Sequence, residues 1–212
     1  KFMAIFSSNI DEFFMVRVSA LKEKLDRGIS KLADGSSVEE LIDGIRDRIE
    51  GLVSGQMHCL REQILPDLAR NGIEIVSYSD LPEAERDVAD SYFEEEIFPV
   101  LTPQAVDPTH PFPYISGGSL NLGFFIEPEL DGRSARSLKK LGNRFFVRLK
   151  IPSFVPRFVR IEEGRDRFLM AESLIAANIG RLAPGIDAGS CHLFRLTRDA
   201  DMDFRETETH DL

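Results

Sequence analysis

The sequence contains no tryptophan and only two cysteines, Cys59 and Cys191, which stand far apart and form no CxxC pattern. These counts disfavour a disulfide framework and indicate a reducing compartment. No segment approaches the roughly 18 consecutive apolar residues of a membrane-spanning helix, and no secretory signal is visible. We therefore expect a cytoplasmic chain without a membrane span, with peripheral attachment to a membrane left open.

Sequence motifs of common active sites are absent as well. There is no GxSxG nucleophile motif, no GxxxxGK[ST] phosphate loop and no GxGxxG dinucleotide motif. The histidines are His58, His110, His192 and His210. None stands at metal-ligand spacing from another, and the alternating acids Asp199, Asp201 and Asp203 lack the glycine and terminal glutamate of a calcium loop. We therefore predict no catalytic residue and no metal site within this chain.

The composition that is present is that of a folded protein, with 42% hydrophobic and 29% charged residues. Acidic residues number 36 against 26 basic ones, and the resulting net charge of −10 opposes non-specific binding to nucleic acid. The balance is uneven, because residues 132–168 hold eleven Lys or Arg and only three acids. A local basic surface, and hence a polyanion-binding module, is one hypothesis for this chain.

The first third of the sequence predicts helices. Ser8-x-x-Asp11 and Asn9-x-x-Glu12 both fit a capping box, which predicts a helix from there to about Arg27. Ser37-x-x-Glu40 fits the start of a second helix, whose apolar stripe extends to Ile64. Pro66 should kink or end it, and Asn71-Gly72 should stop the chain's helical part. We predict an antiparallel helical bundle over residues 1–71, clipped at its start.

After Gly72 the sequence predicts an α/β head domain with a mixed sheet over residues 72–212, so the fold class is α+β. Helices are expected from Pro82 to near Pro99 and at Glu172–Leu182. Strands are expected at Ile73–Val76, Leu120–Ile126, Phe145–Lys150, Arg157–Ile161, Phe168–Met170 and His192–Thr197. The proline-dense residues 101–113 are expected to form an extended connection, since such a stretch suits neither helix nor central strand. The basic residues 131–143 should form an exposed loop.

The strands of the head domain interleave Arg and Lys with Phe, as in the segment RFFVRLK. Alternation places Phe145, Val147 and Leu149 on one face and the basic residues on the other. Exposed aromatics beside arginines are typical of a sheet that binds nucleic acid. A half-buried sheet with its polar side in water explains the same pattern, and we favour that interpretation.

Asn9 is the polar residue that most needs an explanation. If residues 2–18 are helical, it shares one face with apolar side chains at spacings of three and four. These are Phe2, Ile5, Phe13 and Val16. A buried amide without a partner costs about 1–3 kcal/mol. Asn9 is therefore expected either to cap a helix or to bind a ligand.

Four long segments resemble one family, the bacterial polyphosphate kinases that work through a phosphohistidine. They read KFMAIFSSNIDEFFMVRVSALK, FPVLTPQAVDPTHPFPYISGGSLNL, FVRLKIPSFVPRFVRI and LFRLTRDADM, in the family's order. The resemblance implies an N-terminal helical domain followed by a head domain, with the catalytic domains beyond Leu212. It implies reversible transfer of the terminal phosphate of ATP to inorganic polyphosphate, with Mg²⁺ and the histidine held outside this chain.

The same resemblance implies a role for one residue, since the Asn of the SSN signature contacts the ATP base and corresponds to Asn9. It also implies a homo-oligomer, a dimer or tetramer formed through the head domain, with ATP, ADP and polyphosphate as partners and no nucleic acid. The fragment alone should be inactive. A non-enzymatic polyanion-binding or dimerisation module is the alternative, and whether Arg144, Arg148 or Arg157 contacts polyphosphate stays open.

Overall fold

The computed structural model describes residues 1–106, 112–126, 145–162, 164–182 and 190–199. They form two compact units. A helical unit comprises Lys1–Asp67 with Ser116–Gly118 and residues 196–199, and a sheet unit is drawn from Leu68–Ile115 and Ser119–Arg195. The predicted α+β class is confirmed, whereas the domain limits 1–71 and 72–212 stay a prediction.

The first helical segment of the helical unit is continuous from Phe2 to Asp26. Its parts are α1 (Phe2–Phe13), a π-helical turn (Phe14–Val18) and α2 (Ser19–Asp26). No Gly or Pro interrupts these residues, and the chain leaves the helix at Gly28, whose φ is +78°. The predicted capping box at residues 8–12 is wrong, because those residues lie inside the helix and the N-cap is Lys1.

The second helical segment extends past the proline that was expected to kink or end it. Its parts are α3 (Val38–Cys59), a π-helical turn (Leu60–Ile64) and α4 (Leu65–Arg70). Ser37 caps α3 as predicted, with Oγ accepting the N–H of Glu40 at 3.4 Å. The π-helical turn ends at Ile64, two residues before Pro66, and widens the hydrogen-bond ladder where the proline ring and missing N–H would otherwise conflict with an α-helix. Gly72, with φ of +80°, marks the end of the segment.

The two helical segments are antiparallel, as the sequence predicted. Gln56, near the end of α3, donates from Nε2 to the carbonyl of Met3 and to Oγ of Ser7, both at 2.9 Å. These partners belong to the first turns of α1. Among the described residues of this unit only Val18 and Val38 are buried hydrophobics, and its other apolar side chains are half-buried or exposed. No described helix has both the length and the hydropathy needed to cross a bilayer.

The sheet unit contains two sheets. Its strands are β1 (Ile73–Val76), β2 (Pro103–Val106), β3 (Leu120–Ile126), β4 (Phe145–Lys150), β5 (Phe158–Arg160), β6 (Asp166–Met170) and β7 (His192–Arg195). One sheet has the order β1-β6-β5, mixed because β1 is parallel to β6 and β5 antiparallel. The other has the order β2-β4-β3-β7 and is antiparallel throughout.

Helices complete the core of the sheet unit. They are α5 (Glu83–Tyr92), followed by a π-helical turn (Phe93–Ile97), and α6 (Ala171–Ala177) and α7 (Ile179–Leu182), with short 3₁₀ turns at Tyr78–Asp80 and Phe98–Val100. Leu122 and Phe124 of β3 lie opposite Leu149 and Val147 of β4, and all four side chains are buried in one core with residues of these helices. The predicted alternation along β4 is thus confirmed on its apolar face.

The proline-dense stretch is more ordered than the sequence predicted. Pro103–Val106 forms strand β2, paired with β4 at the edge of the antiparallel sheet. An edge position tolerates Pro103 because one side of the strand needs no N–H donors. The expected loop at 131–143 lies outside the described residues, as do residues 107–111.

Candidate functional site

Asn9 lies in the middle of α1, two turns after its N-cap. The capping alternative for Asn9 is therefore wrong. Its side chain is exposed and makes no hydrogen bond within the described part of the chain. Asn is a poorer helix former than Ala by about 0.6 kcal/mol, and neither a cap nor a buried hydrogen bond offsets that cost here. The amide thus has both its donor and its acceptor available to a ligand.

The helix face around Asn9 is apolar and exposed. Phe2 is 86% exposed and Val16 48%, while Ile5 and Phe13, one turn before and after Asn9, are 45% and 36% exposed. The sequence predicted these residues on one face but treated that face as buried. A contiguous exposed apolar patch around a polar group is typical of a binding surface. Here two apolar side chains flank an amide at one helical turn on each side.

Two other polar residues of α1, Ser7 and Asp11, have side-chain hydrogen-bond partners. Oγ of Ser7 accepts a hydrogen bond from Nε2 of Gln56 at 2.9 Å, which joins α1 to α3. The Asp11 carboxylate accepts from Oγ1 of Thr197 at 3.4 Å. The helix that carries Asn9 is therefore held on two sides by side-chain hydrogen bonds.

Groups suited to metal binding or nucleophilic chemistry are dispersed. The described residues contain no group of three or more His, Cys, Asp or Glu that could hold a metal ion. Cys59 and Cys191 are free and half-buried, and Sγ of Cys59 lies 3.6 Å from Oε1 of Gln63. His110, His210, Asp201 and Asp203 lie outside the described residues.

The three arginines that the sequence left open have different surroundings. Arg157 forms a two-pronged ion pair with Glu172, its Nε lying 2.9 Å from both carboxylate oxygens. The carboxylate of Glu172 is only 9% exposed, whereas Arg157 is about half exposed. Most of the Arg157 charge is thus balanced inside the fold. Arg144 lies outside the described residues.

Arg148 on β4 is the exception among the described arginines, because it is a buried cation held by neutral oxygens. It is 4% exposed. Its Nε donates to Oδ1 of Asn121 at 2.8 Å, and its Nη1 to Oε1 of Gln104 at 2.9 Å and to the carbonyl of Tyr114 at 3.0 Å. Burial lowers the pKa of Arg148, since desolvation disfavours the charged form.

The sequence placed Arg148 on a solvated face, and that prediction is wrong. The strand register sets Arg148 beside Gln104 of β2 and Gly123 of β3, and the Tyr114 carbonyl reaches it from the chain before β3. These partners are 44, 34 and 27 positions away. The polar groups around Arg148 therefore depend on strand pairing, which no local pattern in the sequence reveals.

Comparison with known proteins identifies the family. Residues 1–76 match the polyphosphate kinase N-terminal domain, and residues 84–212 match the polyphosphate kinase middle domain. The chain is 43% identical to a polyphosphate kinase of Mycolicibacterium gilvum over 218 residues, which cover 100% of this chain and 28% of that protein. It is 42% identical to a polyphosphate kinase of Mycobacterium tuberculosis strain H37Rv over 226 residues, 100% of this chain and 29% of the relative.

A solved structure gives the same match. The crystal structure of polyphosphate kinase from Porphyromonas gingivalis aligns with a TM-score of 0.74 at 25% sequence identity, over 94% of this chain and 28% of that one. The chain therefore spans somewhat less than a third of the length of the relatives that it matches.

Proposed function

Because this chain belongs to the polyphosphate kinase family, as its N-terminal and middle domains, we propose that it is part of an enzyme that transfers the terminal phosphate of ATP reversibly to inorganic polyphosphate. In this proposal the phosphohistidine that carries the phosphoryl group, and the Mg²⁺ site, belong to the remainder of the protein. The described residues hold no cluster of metal ligands. This chain supplies part of the ATP base site and subunit contacts in a dimer or tetramer.

The observation that carries the proposal is the exposed amide of Asn9 in the middle of a helix, which makes no hydrogen bond to any described residue. An amide offers a donor and an acceptor on one rigid group, and the Watson–Crick and Hoogsteen edges of adenine also pair a donor with an acceptor. Ile5 and Phe13 flank Asn9 at one turn on either side and are 45% and 36% exposed. Their apolar surface suits the faces of a purine, which loses contact with water when it binds.

The helix that carries Asn9 is well placed to hold the amide at a fixed position. Gln56 bonds both Met3 and Ser7, in the turns that precede Asn9. A base contact made by a side chain on a braced helix needs less ordering on binding than one made by a loop.

The test replaces Asn9 in the full-length enzyme. Asn9→Ala should raise the KM for ATP about two- to tenfold, as expected for the loss of one or two neutral hydrogen bonds. The effect on the KM for GTP should be smaller, because guanine presents a different donor and acceptor pattern. Ser8→Ala is the matched control, since Ser8 is the exposed polar residue next to Asn9 on the same helix.

An Asn9→Ala enzyme whose KM for ATP equals that of the Ser8→Ala enzyme would remove Asn9 from the base site. The proposed division of labour has its own test. The purified 212-residue chain should transfer no phosphate from ATP to polyphosphate, and measurable turnover by it would contradict the assignment of the chemistry to the rest of the protein.

A further inference from the structure

The sheet unit contains an open pocket of about 350 Å³ at the end of the β2–β4 strand pair. Its described lining comprises Val100, Thr102, Gln104, Arg148, Lys150, Pro152, Ser153 and Phe154. Two of these side chains are cations and none is acidic. Hydroxyl and amide groups make up the other polar lining, and the apolar lining comes from the flanking turns.

The charge of Arg148, which lines the pocket, is not paired with a carboxylate among the described residues. Arg148 is buried, and its hydrogen-bond partners are the amide oxygens of Asn121 and Gln104 and one main-chain carbonyl. No carboxylate contacts it within the described residues. A cation that is removed from water and hydrogen-bonded only to uncharged groups keeps a strong positive potential around it. This potential extends into the pocket, whose wall Arg148 forms.

The remaining lining is suited to an oxyanion. Lys150 lies two residues after Arg148, so the two cations are on the same face of β4. Lys150 is exposed, and the hydroxyls of Thr102 and Ser153, which also line the pocket, can act as donors. Hydrogen bonds from charged donors to phosphate oxygens are shorter and stronger than neutral ones.

We propose that this pocket binds a phosphoryl oxyanion, with Arg148 and Lys150 as its cationic donors. The pocket does not involve Asn9. Two molecules could supply such a group, a linear phosphate chain and the phosphates of a nucleotide. The choice of these two as probes rests on the proposed function, whereas the chemistry of the pocket does not.

Phe154 allows an experiment to distinguish a nucleotide from a linear phosphate chain as the bound molecule. It is 71% exposed and lines the pocket. An exposed aromatic ring can stack on a nucleotide base, but a linear phosphate chain has no flat apolar group for it to contact. Loss of the Phe154 ring should therefore weaken only a nucleotide.

Isothermal titration calorimetry of the 212-residue chain with sodium tripolyphosphate at low ionic strength tests the proposal. Lys150→Met should raise the Kd about five- to tenfold, as expected for one partly solvated charge-assisted hydrogen bond. It should also reduce the slope of log Kd against log salt by about 1. Arg165→Gln removes the same charge from a residue whose side chain is 72% exposed and outside the pocket, and should change Kd less than about twofold.

Arg148→Lys is the second variant, because it keeps the charge but loses the planar fork. It should weaken tripolyphosphate about tenfold, and its melting curve reports whether it folds. A folded Arg148→Lys chain with unaltered affinity would overturn the role of the guanidinium. Absence of tripolyphosphate binding by the unsubstituted chain would overturn the pocket itself. If Lys150→Met and Arg165→Gln weakened tripolyphosphate binding equally, the pocket would also be overturned, because the binding would then depend only on the net charge of the protein surface.

Titration with ATP, repeated with Phe154→Ala, identifies the source. ATP binding that Phe154→Ala weakens, with tripolyphosphate unaffected, supports a nucleotide; tight tripolyphosphate binding that ATP does not displace supports a linear chain. Both outcomes retain the oxyanion pocket. These measurements need no turnover and no Asn9 substitution. A result that overturns the oxyanion pocket therefore does not bear on the proposed ATP base site, and a result that removes Asn9 from the base site does not bear on the pocket.

Discussion

The helical unit and the sheet unit bury their apolar residues to very different degrees. In the helical unit Val18 and Val38 are the buried hydrophobics of the described residues, whereas the sheet unit encloses a core that includes Phe93, Leu149 and Leu174, each fully buried. Two helices can bury only the seam between them, and their outer faces stay in contact with solvent. Sheets covered by helices enclose side chains on all sides. The difference shows that the sheet unit has an enclosed apolar core, which the described part of the helical unit lacks.

The two candidate sites, at Asn9 and at Arg148, differ in burial in the same way. Asn9 belongs to an exposed apolar face that is ready for a ligand or a covering surface. Arg148 belongs to a packed sheet, where the surrounding fold holds it in place before any ligand arrives.

Truncation of leucine should have its largest effect in the sheet unit. Leu149 is 0% exposed, and Leu149→Ala should lower the free energy of unfolding by about 2–5 kcal/mol, because a cavity remains in the core. Leu52 on α3 is 40% exposed, so Leu52→Ala should cost less than about 1 kcal/mol. Urea denaturation followed by circular dichroism measures both, and equal losses would contradict the comparison.

Removal of a buried carboxylate charge should have the next largest effect. Glu172 is 9% exposed and pairs with the half-exposed Arg157, so Glu172→Gln should destabilise the chain by about 1–3 kcal/mol. Asp166 and Arg160 form a pair in the same unit at 2.8 Å with both side chains about half exposed. Asp166→Asn should therefore cost below about 1 kcal/mol. Thermal unfolding of the two variants at one pH tests the ranking, and a larger loss for Asp166→Asn would refute it.

Loss of the α3 cap should have a moderate effect confined to the helical unit. The Ser37 hydroxyl accepts the Glu40 N–H at 3.4 Å, which is long for a hydrogen bond. Ser37→Ala should therefore cost about 0.5–1 kcal/mol, at the lower end for N-caps. Ser54→Ala, at an exposed site inside α3, should cost nothing or stabilise slightly. Hydrogen exchange of the α3 amides reports the effect, and increased exchange in the sheet unit instead would contradict it.

Substitution of Asn by Ala should have opposite signs in the two units. Asn9→Ala should stabilise the chain by about 0.5 kcal/mol, because Ala is the better helix former and no hydrogen bond within the described residues is lost. Asn178 is 5% exposed, and its Nδ2 donates to Oδ1 of Asp90 at 2.8 Å and to the Leu174 carbonyl at 3.2 Å. Asn178→Ala should destabilise by about 1–3 kcal/mol. Melting temperatures of the two variants give the signs, and a destabilising Asn9→Ala would mean that its amide serves the fold.

Local sequence signals were sufficient for many elements. The strands at Ile73–Val76, Leu120–Ile126 and Phe145–Lys150 have the predicted bounds, because alternation and flanking breakers depend only on neighbours along the chain. The Ser37 cap and the stop at Gly72 were predicted for the same reason. Where two local signals competed, the prediction failed: the polar residues 7–9 fit a cap, but the apolar residues before them continue the helix back to Phe2.

Periodicities of a few residues were enough to predict the α+β class, the antiparallel helices, the apolar face of β4 and the place of Asn9 among apolar residues. The exposure of the Asn9 face and the burial of Arg148 became evident only from the folded structure. Both depend on what lies against a residue from distant parts of the chain. Burial, and the electrostatics that follow from it, is a property of contacts between segments, and strand register and helix packing create those contacts.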